Sequence, residues 1–129
     1  MTPRGVIVVA AGFLLLGVGA GAFGAHALRS RLSPDVLAVF ATGVQYHLVH
    51  ALGLLIVGVL WRQWPAAGGG LAVSAALLAV GIVLFSGSLY VLALTGVRGW
   101  GAVTPVGGLA WLLAWAILGV TAWRYTAAA

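Results

Sequence analysis

Charge is what this chain has least of. Only 5% of its 129 residues are charged: six arginines, no lysine and a single acid, Asp35. A soluble domain covers its surface with about a quarter charged residues. With 64% of residues hydrophobic and a mean hydropathy of +1.20, this chain cannot do so, and the solvent it suits is lipid. Cysteine is also absent, which excludes a disulfide framework and a thiolate metal site and leaves the redox compartment open. There is no carboxylate pair for acid–base catalysis, and Ser86 or Ser88 would need an activating base that no motif supplies. The glycines at 68–70 follow no strand and precede no lysine, so they are not a phosphate loop. The arginines stand scattered, at the ends of apolar runs. That is a pattern of membrane anchoring, whereas a nucleic-acid track needs clustered basic residues. The composition therefore predicts no catalytic residue, no cofactor and no nucleic-acid partner.

What is present is apolar length. A helix needs about twenty apolar residues to cross a hydrocarbon core of about 30 Å. Four segments qualify, at about 5–27, 34–63, 71–94 and 104–124. The first is too long and Gly-rich for a cleaved signal and reads as a retained span. Ser33-Pro34-Asp35 is a helix start with the acid in the first turn, where the helix dipole favours it. Thr104-Pro105 starts the fourth span in the same way. The second span is long, about 45 Å at 1.5 Å per residue, so its first two turns are expected outside the hydrocarbon. Short connections predict an all-α, integral-membrane, four-helix antiparallel bundle in one domain over residues 1–129. Both termini then share one side with Trp61, Trp64, Trp123 and Tyr125, as an aromatic belt requires. Arg4, Arg62 and Arg124 lie on that side and Arg29, Arg31 and Arg98 on the other, a tie that orients nothing.

Helical periodicity sorts the small and polar residues. In the third span Ser86 and Tyr90 share one face beside Gly87, while Ser74, Gly81, Ser88 and Thr95 share the opposite one. A helix that is small or polar on both sides is sandwiched between neighbours. The third helix is therefore expected to be central, touching the first and second, with Ser86 and Tyr90 buried and Leu60 and Ile117 facing lipid. Gly43, Tyr46, His50, Gly53 and Val57 make one face of the second helix, with His47 at its edge. The first helix carries two stripes: Gly12, Gly19, Ala22 and His26, and Gly17, Gly21 and Gly24, of which Gly17 and Gly21 match the small-xxx-small packing pattern. Gly108, Trp111, Trp115 and Gly119 alternate gap and ring on the fourth.

Ionisable residues inside a membrane are costly and default to a functional reading. His26 ends its span and His47 and His50 lie toward the start of theirs, so His26 and His50 are expected on the same side. His47-x-x-His50 alone is a weak metal signal without a nearby carboxylate, and histidines on one side do not build a bis-histidine haem site. No metal is expected. The polar seam predicted from these faces is His26, Tyr46, His50, Ser86, Ser88 and Tyr90, with Gly17, Gly21, Gly24, Gly87 and Gly108 serving helix packing. Such a seam suits a membrane lipid, a small amphiphile or a partner helix, from a second copy or another membrane protein. The alternative is an oligomeric small-solute or proton pore gated by the histidines.

Four stretches in order, "GAFGAH" at 21–26, "QYHLVH" at 45–50, "LFSGSLY" at 84–90 and "TPVGG" at 104–108, resemble the domain-of-unknown-function 423 family of small bacterial inner-membrane proteins. The resemblance covers nearly the whole chain. It implies four transmembrane helices in the plasma (inner) membrane and brings no established activity. Residues matching the family pattern are Gly21, Gly24, His26, Tyr46, His50, Ser86, Gly87, Ser88, Tyr90, Thr104, Pro105 and Gly108; His47 is not among them. Basic C-terminal tails in the family imply cytoplasmic termini, although this chain ends "RYTAAA" with only Arg124.

Overall fold

A computed structural model describes residues 1–127, and among them there are helices and turns but no strand. Helix α1 runs from Pro3 to Phe23 and continues through a π turn, Gly24–Leu28. Thr2 caps it, its hydroxyl accepting from the Gly5 N–H at 3.2 Å. Helix α2 spans Pro34–Gln63 without interruption, capped by Ser33 with Pro34 and Asp35 in its first turn. Thr42 does not break it, because its hydroxyl donates to the Ala38 carbonyl one turn back. Helix α3 comprises Gly68–Gly81, a π turn over Ile82–Ser86 and a last segment Gly87–Thr95. It stops at Gly96, whose φ of 71° is open to glycine at little cost and lets its N–H reach the Leu92 carbonyl. Helix α4 is Thr104–Ala127. Short 3₁₀ turns, Pro65–Ala67 and Arg98–Ala102, complete the α2–α3 and α3–α4 connections. Four helical stretches are long and apolar enough to cross a membrane, and the protein is an all-helical, multi-pass membrane protein.

The helices pack in chain order: α1 on α2, α2 on α3, α3 on α4. This corrects the expectation that α3 touches α1 and α2 alike. The inner pair is α2 and α3, and α1 meets α3 along a shallow groove lined by Val9, Phe13, Ala79, Val80, Val83 and Leu84. One apolar core joins all four helices through Val6 and Ala10, Leu54 and Val57, Leu71 and Leu78, and Trp111 and Ala114. A smaller one, Leu28, Phe40 and Ala93, closes the end near the first connection. On the terminal side Trp64 stacks on Tyr125 with centroids 5.1 Å apart. Leu60 and Ile117, expected to face lipid, are half-buried; Val59 and Leu113 are the exposed neighbours.

Rings seated on glycines set the spacing between several of these elements. A methyl at Gly24 would lie 3.0 Å from the Phe40 ring, one at Gly43 2.9 Å from Tyr90, and one at Gly53 2.6 Å from Trp115. At Gly81 it would run into the Trp111 indole. Lipid offers helices no hydrophobic drive to associate, so close packing and hydrogen bonds must do it, and a missing Cβ is where a ring gains contact. The α1–α2 contact uses Gly17 against Leu48, Gly21 against Val44 and Gly24 against Phe40. The other stripe turns outward: Gly12 and Gly19 have nothing within 4 Å, and Ala22 and His26 are exposed.

Candidate functional site

The opposed faces of α3 receive different partners. Toward α4, the Ser74 hydroxyl donates to the Ala114 carbonyl at 3.0 Å, and Trp111 donates its indole N–H to the Leu78 carbonyl at 3.2 Å. Ser88 donates to the Phe85 carbonyl at 2.9 Å and lies 2.7 Å from the Thr104 hydroxyl. A hydroxyl has one proton, so Thr104 is the donor in that second bond. The fourth helix is thereby tied at its start to the π turn of the third. There the backbones come closest, for a methyl at Gly107 would strike the Phe85 backbone. Thr95 is exposed and bonds the Val91 carbonyl within its own helix.

Toward α2, the Tyr90 hydroxyl and Nδ1 of His47 share a hydrogen bond at 3.1 Å, and the Tyr90 ring lies 4.9 Å from Phe40. His47 is 5% exposed, with Nε2 closed off near the Phe13 backbone and holding no well-formed hydrogen bond. The Ser86 hydroxyl is fully buried and also without a partner. In a regular helix a serine bonds the carbonyl one turn back; Ser86 closes the π turn instead. Tyr90 itself is half-buried.

His50 belongs to a different surface. Its Nδ1 donates to the Tyr46 carbonyl at 2.8 Å, and its ring stacks on Trp111 with centroids 3.5 Å apart and planes 6° from parallel. Tyr46 lies 6.0 Å from His50, 5.8 Å from Trp111 and 5.0 Å from Phe85. These rings, with Trp115, Pro105, Gly108, Leu109 and Leu112, line an open groove of about 530 Å³ between α2 and α4. Gly53 and Gly81 make the groove possible by letting Trp115 and Trp111 lie down against α2 and α3. A second groove, of about 320 Å³, runs between α1 and α2 over Gly21, Gly24, Phe40 and Val44 and is almost wholly apolar.

The expected seam is thus divided. Tyr46 and His50 meet in the α2–α4 groove, Ser86 and Tyr90 face α2, and Ser88 faces α4. His26 is exposed at the end of α1 and makes no hydrogen bond or ring contact among the described residues. His47, which sequence periodicity set at the edge, is the buried partner of Tyr90. Among the packing glycines, Gly87 borders open space and Gly108 is in ordinary contact with Phe85, while the tight positions toward α4 are Gly81 and Gly107. No three histidine or acidic side chains converge among the described residues.

The family described as "Protein of unknown function (DUF423)" matches residues 20–108. The chain is 44% identical over 119 residues to the UPF0382 membrane protein YwdK of Bacillus subtilis, covering 92% of this chain and 96% of that one. It is 40% identical over 133 residues to the UPF0382 inner membrane protein YgdD of Escherichia coli, covering 96% and 93%. A Staphylococcus haemolyticus UPF0382 membrane protein, SH2409, is 38% identical over 128 residues. No solved structure gives a significant match. Both π turns fall in stretches that carry the family resemblance, Gly24–Leu28 in the first and Ile82–Ser86 in the third.

Proposed function

The chain belongs to the DUF423 family of membrane proteins, and from that premise we propose a non-enzymatic role in which the α2–α4 groove holds a lipid or small amphiphile. The observation that carries this reading is the wall of Tyr46, Phe85, Trp111 and Trp115 around the single imidazole of His50. Ligand sites are mostly apolar and aromatic, with few polar groups to fix orientation, and this groove has that composition. Its mouth opens where bilayer chains run, so an acyl or isoprenoid chain reaches it laterally. Seating in the plasma (inner) membrane with both termini cytoplasmic completes the proposal. The inner-membrane name of the Escherichia coli relative supports its location.

Native mass spectrometry of protein released from its own membrane tests the proposal. Wild type should carry a lipid or amphiphile adduct, and Gly108→Phe, which fills the groove, should lose it. A bare wild type, or equal adducts on both, refutes the reading.

A further inference from the structure

We propose that the amphiphile in the α2–α4 groove carries a neutral hydroxyl group that donates a hydrogen bond to Nε2 of His50; this rests on the groove reading above. The first step is the tautomer. Nδ1 lies 2.8 Å from the Tyr46 carbonyl, an oxygen that only accepts, so Nδ1 carries the proton and donates. A neutral imidazole has one N–H, which leaves Nε2 with a lone pair and no proton. The second step is access. His50 is only 7% exposed, yet its Nε2 is not among the sealed-off atoms, as the Nε2 of His47 is. The ring lines the groove, so its acceptor opens there.

Depth and charge then narrow the occupant. His50 stands about 20 Å of helix from the nearer end of α2, at 1.5 Å per residue. No arginine or acid is among the groove-lining residues, and Asp35 and the arginines lie toward the helix ends. An ammonium head would find no countercharge at that depth, and a phosphate would find an acceptor where it needs a donor. Other donors are engaged or displaced: the Trp111 N–H is held by Leu78, and the Tyr46 hydroxyl makes no bond to His50. A hydroxyl on an apolar body meets every condition. An aliphatic alcohol and a phenol share this chemistry; the phenol's ring also fits against Tyr46.

The test compares donors with their methyl ethers. Purified protein in nanodiscs is offered 1-hexadecanol or its methyl ether, and separately 4-dodecylphenol or 4-dodecylanisole, with adduct occupancy read by native mass spectrometry. In wild type at least one hydroxyl probe should exceed its ether by about five-fold, the worth of one neutral hydrogen bond. His50→Phe keeps a ring stacked on Trp111 but has no lone pair, and should bind both members of each pair equally. Preference in the phenol pair alone identifies an aromatic alcohol, and in the hexadecanol pair alone an aliphatic one. Equal binding of alcohol and ether in wild type overturns the donor inference and leaves the groove standing. Failure of all four probes to bind overturns both. A preference that survives in His50→Phe removes His50 from the role.

Discussion

Gly81→Ala puts the ring-on-glycine principle to its hardest test. The added methyl would occupy space now held by the Trp111 indole, which is 3% exposed and hydrogen-bonded to Leu78 at 3.2 Å. Trp111 cannot swing away freely, because His50 is stacked on one of its faces and Phe85 lies 4.6 Å off. Overpacking of this kind costs about 1–3 kcal/mol. Loss of the indole bond adds about 1 kcal/mol. Alanine returns up to about 1 kcal/mol of helix propensity. The net expectation is a loss of about 1–3 kcal/mol. Gly12→Ala is the control: nothing lies within 4 Å of the new methyl, so only the propensity gain remains. Both variants are unfolded reversibly by SDS titration and followed by circular dichroism. If Gly81→Ala is as stable as Gly12→Ala, the indole is not seated as described, and the groove built on it goes too.

Other expectations use the same titration or simple chemistry. Gly107→Ala should destabilise more than Gly108→Ala, since the first meets the Phe85 backbone and the second only a ring edge at 3.8 Å. Ser74→Ala should cost about 0.6 kcal/mol, the usual worth of an interhelical hydrogen bond in a membrane. Ser86→Ala should be neutral or stabilising, because the buried hydroxyl it deletes has no partner; a loss above that of Ser74→Ala would show a bond that the geometry does not. In detergent, cysteine at Val83, which is 59% exposed, should react with a maleimide well before cysteine at Ser86, which is fully buried.

Much of the fold was legible because lipid leaves few choices. Unpaired backbone is intolerable in hydrocarbon, so four long apolar runs mean four helices. The split between the Ser86/Tyr90 face and the Ser74/Gly81/Ser88 face was also legible, since both arise from one helix period, and the structure sets α2 on one side and α4 on the other. What the period could not give is the partner. Gly81 and Gly107 look like any other glycine until Trp111 and Phe85 arrive from another helix. The placement of α1 failed for a related reason. Two glycine stripes were visible, and only the complementary side chains of Leu48, Val44 and Phe40 decide that the one with Gly17, Gly21 and Gly24 is covered. His47 and His26 exchanged importance because burial depends on which neighbour a face meets, which sequence spacing does not report.

The π turn at Ile82–Ser86 makes helix α3 intolerant of a change in residue count. It widens one turn, so Gly81 and Ser74 above it address α4 while Tyr90 below it addresses His47. Deleting one residue there and letting the turn relax to 3.6 residues would rotate everything after it by about 100°. Tyr90 would leave His47 and Ser88 would leave Thr104, although no side chain had been substituted. A single lost codon inside this stretch is therefore a more damaging event than most replacements within it. The same loss in the exposed connection between Val97 and Ala102 would shorten a turn and leave both helix registers intact.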